Sequence, residues 1–134
     1  MRRIVFDSYA ILALFRDEKG RDEISQLLTE ISAGEKEGFI SVLNIGEVYY
    51  ISHRKNGKAK AEEALHALLH FPLEIAEADL QLTLEAAKLK AQYSLSYADA
   101  FAAALTIKKK ATLITGDKEF RHLEGEANFK VKFI

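Results

Sequence analysis

Four acidic side chains stand where a solvated surface charge is an unlikely fit. Asp7 closes the apolar run Ile4-Val5-Phe6, and Asp117 follows the run Thr112-Leu113-Ile114. Both runs read as strands, and the carboxyl ends of parallel strands are where such sheets bind ligands. Glu47 shares a helical stripe with Leu43, Tyr50 and Ile51. A charge on an apolar stripe is costly unless it is paired or bound. Asp99 is the only charge between Ser94 and Ile107, inside Tyr97-Ala98-Asp99-Ala100-Phe101-Ala102-Ala103-Ala104-Leu105, which is apolar nearly all round.

Each acid also has a purely structural reading. Ser96 and Asp99 match a capping box with Asp at the N3 position. Asp7 and Asp117 can cap the helices that follow them, and Glu47 can pair with Arg54 or a lysine. Taken together, the four ask for a common counter-charge, and no buried Lys or Arg stands beside them in sequence. A hard divalent cation answers this most simply, because Mg²⁺ and Mn²⁺ prefer oxygen ligands. Carboxylate clusters on such ions hydrolyse phosphodiesters by activating water and neutralising charge in the transition state. Ser8, Asn44, Ser96 and Thr115 lie within three residues of these acids. They can orient the carboxylates, hold metal-bound waters, or simply cap helices.

The elements that must position these residues alternate along the chain. Strand patterns fall at Ile4–Phe6, Phe39–Ser41, Leu73–Ile75, Thr112–Ile114 and, by alternation, Lys130–Phe133. Helical patterns fall at Ser8–Phe15, Arg21–Ala33 ended by Gly34, about Leu43–His53, about Lys58–His70, from an Asp79 cap to about Tyr93, and from a Ser96 cap to about Lys109. A short helix is expected near Lys118–His122. Strands separated by helices predict parallel pairing with right-handed crossovers. The expected fold is therefore α/β: a three-layer α/β/α sandwich around a mostly parallel sheet of four to five strands. The 134 residues read as one domain spanning 1–134.

Composition removes whole classes of function. There is no cysteine, which excludes disulfide scaffolds, thiolate zinc sites and cysteine nucleophiles. No apolar run approaches the length of a spanning helix, and Asp7 interrupts the start before any signal-peptide pattern forms, so a cytoplasmic protein is expected. The net charge of −1 does not announce a nucleic-acid binder. The 13 Lys and 14 Glu against three Asn and three Gln resemble a thermophile's usage. His66 and His70 are four apart but lack an H-E-x-x-H pattern, and read as surface or packing residues. Lys108-Lys109-Lys110 closes a helix, where cations suit the dipole. Tyr49, Tyr50, Phe15 and Leu14 read mainly as core, with a partner groove as the alternative. Dinucleotide, P-loop and nucleophile-elbow signatures are absent.

The order of the acidic motifs carries a family resemblance. Asp7-Ser8 after a strand, Asn44-Ile45-Gly46-Glu47 opening a helix, Ser96-Tyr97-Ala98-Asp99-Ala100, and Thr115-Gly116-Asp117-Lys118-Glu119-Phe120 resemble the motifs of PIN-domain nucleases, in particular VapC-type toxin ribonucleases. The resemblance spans the whole chain. It implies a Mg²⁺- or Mn²⁺-dependent endoribonuclease acting on single-stranded RNA or RNA loops, a homodimer, and a cognate antitoxin protein as partner. Carried over by residue, the catalytic and metal-holding acids would be Asp7, Glu47, Asp99 and Asp117. One departure is Tyr9, which stands where the family commonly has a small polar residue. Arg54, Lys55 and Lys58, with Lys118 and Arg121 beside Asp117, are the candidate RNA contacts. Two other readings remain at this point. One is an aspartyl-phosphate phosphatase or phospho-acceptor domain using Asp7, although Asp7-Ser8-Tyr9 lacks the second Asp such sites carry. The other is a catalytically idle PIN scaffold that binds RNA or protein.

Overall fold

The computed structural model describes all residues 1–134. Five strands form one sheet: β1 (Arg3–Phe6), β2 (Glu37–Ser41), β3 (Glu74–Ala76), β4 (Thr112–Thr115) and β5 (Val131–Phe133). They lie in the order β3-β2-β1-β4-β5, and every pairing is parallel. The register sets Val5 between Phe39 and Leu113, and Phe6 between Ile40 and Ile114. Six α-helices connect the strands: α1 (Ser8–Phe15), α2 (Arg21–Ser32), α3 (Val42–Asn56), α4 (Lys58–Leu69), α5 (Leu80–Gln92) and α6 (Tyr97–Lys108). A 3₁₀ turn (Lys118–Leu123) joins β4 to the last segment.

The pleat divides the strand side chains between two cores. Ile4, Phe6, Ile40 and Ile114 pack with Ile11 of α1, Ile24 and Leu27 of α2, Val48 of α3 and Leu68 of α4. Val5, Phe39 and Leu113 pack on the other face with Leu82, Ala86 and Leu89 of α5 and with the Ala100–Leu105 stretch of α6. Strands apolar on both faces are what a sheet covered by helices on both sides requires. The three layers expected from the sequence are the ones observed.

Several details differ from the sequence reading. The third strand starts one residue later than expected and is an edge, which leaves Ile75 exposed. α3 runs on to Asn56, because Gly57 with φ +87° ends it. The short helix expected after Asp117 is present and is of the 3₁₀ kind, over Lys118–Leu123. Tyr50 is exposed rather than core, and Tyr49 is tied at its hydroxyl to Glu62. The surface reading of His66 and His70 holds: both are exposed, with ring centroids 4.4 Å apart and the rings tilted to each other.

Candidate functional site

The strand order reverses direction at β1. The chain moves from β1 outward through β2 and β3, then returns to the other side of β1 with β4 and β5. The crevice beyond the carboxyl ends of β1 and β4 is therefore the switch point of the sheet, where ligands of such folds bind. Asp7 follows β1 there, and Asp117 follows β4 by one intervening residue. Glu47 arrives from α3 in one helical layer and Asp99 from α6 in the other, and these two helices pack together beyond the sheet edge. All four acids line one cleft of about 310 Å³, with Ser8, Tyr9, Leu12, Ile51, Ser96 and Glu119.

Local hydrogen bonds explain how each acid is held. Asp7 is 1% exposed and caps α1, its Oδ1 accepting from the Ala10 N–H at 2.9 Å. Its Oδ2 accepts from the Thr115 hydroxyl. That same hydroxyl oxygen accepts from the Asp117 N–H at 2.9 Å, so one threonine joins the two strand ends. Asp117 in turn caps the 3₁₀ turn through the Glu119 N–H, at 2.9 Å. Glu47 Oε1 accepts from Ser8 Oγ at 2.7 Å and from Asn44 Nδ2 at 3.1 Å. Ser96 Oγ accepts from the Asp99 N–H at 3.1 Å and caps α6.

Burial and mutual repulsion set the electrostatics of the cluster. Burial pushes the Asp7 carboxyl up to about 7 against the Thr115 and Ala10 hydrogen bonds, and the charges of Asp99 and Asp117 add to the rise. Asp99 is also pushed up to about 7, first by burial and then by Asp117 and Glu47, with Ser96 opposing. Carboxylate oxygens of Asp99, Asp117 and Glu119 lie within 4.8 Å of one another. Asp7 and Glu47 stand outside that set of three while lining the same cleft.

A family model described as the PIN domain matches residues 4–126. The chain belongs to the PIN domain family. No curated protein matches it in sequence. Among solved structures, this PIN domain is similar to VapBC2 of Rickettsia felis bound to a promoter DNA fragment, at 19% identity and TM-score 0.75, covering 98% of each chain. It is similar to DNA-bound VapBC from Salmonella typhimurium at 15% identity and TM-score 0.74, over 99% of this chain and 98% of the other. It is also similar to Mycobacterium tuberculosis VapC20, described as a sarcin–ricin loop cleaving toxin, at 18% identity and TM-score 0.72, over 90% and 95% of the two chains.

Within this PIN domain the structure brings together all four acids read from the sequence. Of the four polar neighbours, Ser8 and Asn44 hold Glu47, Thr115 holds Asp7, and Ser96 serves as a helix cap. None of the five basic candidates lines the cleft. Arg54 lies over the Tyr50 ring at 5.1 Å, so it does not pair with Glu47, and Arg121 lies over Phe133 at 5.4 Å. Glu119 is the acid that sequence reasoning passed over. Its signal was the Asp117-x-Glu119 spacing: an Asp that caps through the N–H two residues on brings that residue's side chain beside its own.

Proposed function

We propose that this PIN domain is a divalent-metal-dependent endoribonuclease that cuts single-stranded RNA or RNA loops, and that it is the toxin of a toxin–antitoxin pair. The reading rests on one observation: Asp7, Glu47, Asp99 and Asp117 converge on one cleft whose lining includes no cationic side chain. The donor set is all oxygen, with neither thiolate nor imidazole, which suits Mg²⁺ or Mn²⁺. Two carboxylates raised to about 7 are those expected to ionise fully when such an ion binds. The four acids are proposed to hold it, with Glu119 added beside Asp99 and Asp117. When bound, the ion supplies water activation and charge neutralisation at the scissile phosphate.

The chain's own part is positioning. Ser8 and Asn44 both bond Oε1 of Glu47, which fixes the carboxylate and leaves Oε2 for a ligand. Thr115 fixes Asp7 and the Asp117 backbone relative to each other. Hydrolysis at the cleft would yield a 5′-phosphate and a 3′-hydroxyl. The toxin role is supported by the VapBC and VapC20 likenesses over nearly the full chain. A cognate antitoxin and a second copy of the chain are the proposed protein partners. Exposed Leu80 and Leu84, four apart on α5, supply unpartnered apolar surface. No helix is long and apolar enough to cross a membrane, which accords with a cytoplasmic site of action.

The rivals fare less well on geometry. An aspartyl-phosphate chemistry needs Asp7 as an open nucleophile with a second Asp close after it, yet Asp7 is buried and Ser8 and Tyr9 follow it. An idle scaffold would have no need to gather four carboxylates at energetic cost. The deciding experiment is cleavage of single-stranded RNA by the purified chain. Activity is expected with Mg²⁺ or Mn²⁺, is lost in EDTA, and falls at least about 100-fold in Glu47→Gln and Asp99→Asn. Cleavage that survives chelation, or that is confined to duplex DNA or small phosphate esters, overturns the reading.

A further inference from the structure

Tyr9 is the one aromatic side chain lining the carboxylate cleft, and it is 49% exposed. It belongs to the first turn of α1, two residues after Asp7. Its ring lies directly against Gly116, the residue between Thr115 and Asp117. A Cβ built at Gly116 would stand 2.2 Å from Tyr9 Cε1 and 2.7 Å from Cδ1. The Gly116 φ is not in the left-handed region, where Gly20, Gly34 and Gly57 lie. The backbone conformation therefore does not call for glycine at this position; the close approach of the ring does. The ring is braced on one side by the backbone of Gly116 and remains half-exposed beside four carboxylates.

We infer that Tyr9 is a fixed stacking platform for one unpaired base of RNA lying in the carboxylate cleft, an inference that rests on the nuclease reading. Every nucleobase has a π-face, and stacking on an aromatic side chain is a sequence-tolerant way to hold a single strand. A base inside a duplex is stacked on both faces and has none to offer. The platform thus admits bases in single strands, loops or bulges, which RNA-binding proteins recognise by stacking them once splayed out. The other apolar residues of the cleft, Leu12 and Ile51, are aliphatic and give no flat surface. Gly116 sits next to Asp117, so the stacked base belongs to a nucleotide beside the phosphate held at the acids.

The test uses the full chain and a short single-stranded RNA carrying 2-aminopurine at each position in turn. Fluorescence is read with Ca²⁺, and cleavage of the same RNA with Mn²⁺ is followed in parallel. In the parent and in Tyr9→Phe, quenching is expected at one position. In Tyr9→Ser and in Tyr9→Leu, which keeps apolar bulk, that quenching is lost and KM rises about 10-fold, with kcat changed much less. Gly116→Ala, which displaces the ring, reproduces the defect in the parent and adds nothing in the Tyr9→Ser background. Melting curves identify any variant that fails to fold; where Tyr9→Ser does, Tyr9→Leu takes its place, alone and combined with Gly116→Ala, and the same outcomes decide. Unchanged quenching in Tyr9→Ser, or equal damage by Gly116→Ala in both backgrounds, overturns the platform while RNA cleavage by the parent leaves the nuclease reading standing. Tyr9-dependent quenching without any cleavage keeps the platform and overturns the nuclease reading.

Discussion

Asp7 and Asp99 each do two things at once. Asp7 caps α1 through one oxygen and meets Thr115 through the other, and Asp99 lends its N–H to the Ser96 cap while its carboxylate faces Asp117 and Glu47. Capping and clustering were alternatives in the sequence because it shows only local spacing. In the fold they use different atoms of the same residue. Asp99→Asn therefore keeps the cap and removes only a repelling charge. In EDTA the variant should be at least as stable as the parent, whereas a loss of roughly 0.5–1 kcal/mol would make Asp99 a helix-dipole acid instead. The raised pKa values also set a pH dependence. Both acids bind a proton more tightly folded than unfolded, so their contribution to stability is fully present below the ordinary carboxylate range. It is lost as pH rises through about 7. The metal-free chain should melt higher at about pH 5.5 than at about pH 8, and the double variant Asp7→Asn/Asp99→Asn should flatten that slope. A parent that gains stability over the same rise would contradict it.

Among the elements, the strands and long helices were legible because their patterns are local: both-face apolar runs for β1 and β4, the Ile24-Leu27-Leu28-Ile31 stripe for α2, and caps at Asp79 and Ser96. What stayed hidden depends on contacts between elements. Ser8 reaches Glu47 across 39 residues, and Glu119 joins Asp99 only because β4 ends beside α6 and turns through a 3₁₀ segment. The basic candidates lie outside the cleft, and two of them rest on aromatic faces, Arg54 on Tyr50 and Arg121 on Phe133. The end of β4 is the joint on which the site depends, and Thr115 is its pin. Thr115→Val keeps the shape but leaves the Asp7 carboxylate and the Asp117 N–H without their shared partner. The expected cost is about 1–3 kcal/mol by chemical denaturation, together with a further rise of the Asp7 pKa. Thr115→Ser, which restores the hydroxyl, should recover most of both. If Val and Ser behave alike, the hydroxyl is not the joint.

For the molecule as a whole, the sheet reversal at β1 decides where the chemistry can be. The parallel strands send their carboxyl ends to one edge, and α3 and α6, from opposite layers, close over it. The fold therefore gathers charges that repel and that destabilise the very arrangement gathering them. A ligand that binds only the folded state reverses this by mass action. At about 100 times its dissociation constant, an ion would contribute about 2.7 kcal/mol, which for a chain of this size raises the melting temperature by roughly 10 °C. Mn²⁺ should produce such a rise in the parent, and the increment should shrink in Asp7→Asn, Glu47→Gln, Asp99→Asn and Asp117→Asn. Glu119→Gln belongs in the series, since the fold places its carboxylate beside Asp99 and Asp117. Glu63→Gln is the control, because Glu63 lies outside the cleft and pairs with Lys60 on the surface. A control variant that loses the Mn²⁺ increment as fully as the cleft variants would mean that the ion is held by general surface charge and not by the convergence of these acids. An undiminished increment in any one cleft variant would remove that residue alone from the ion's ligands, because Asp7, Glu47, Asp99 and the Asp117–Glu119 turn reach the cleft on separate elements.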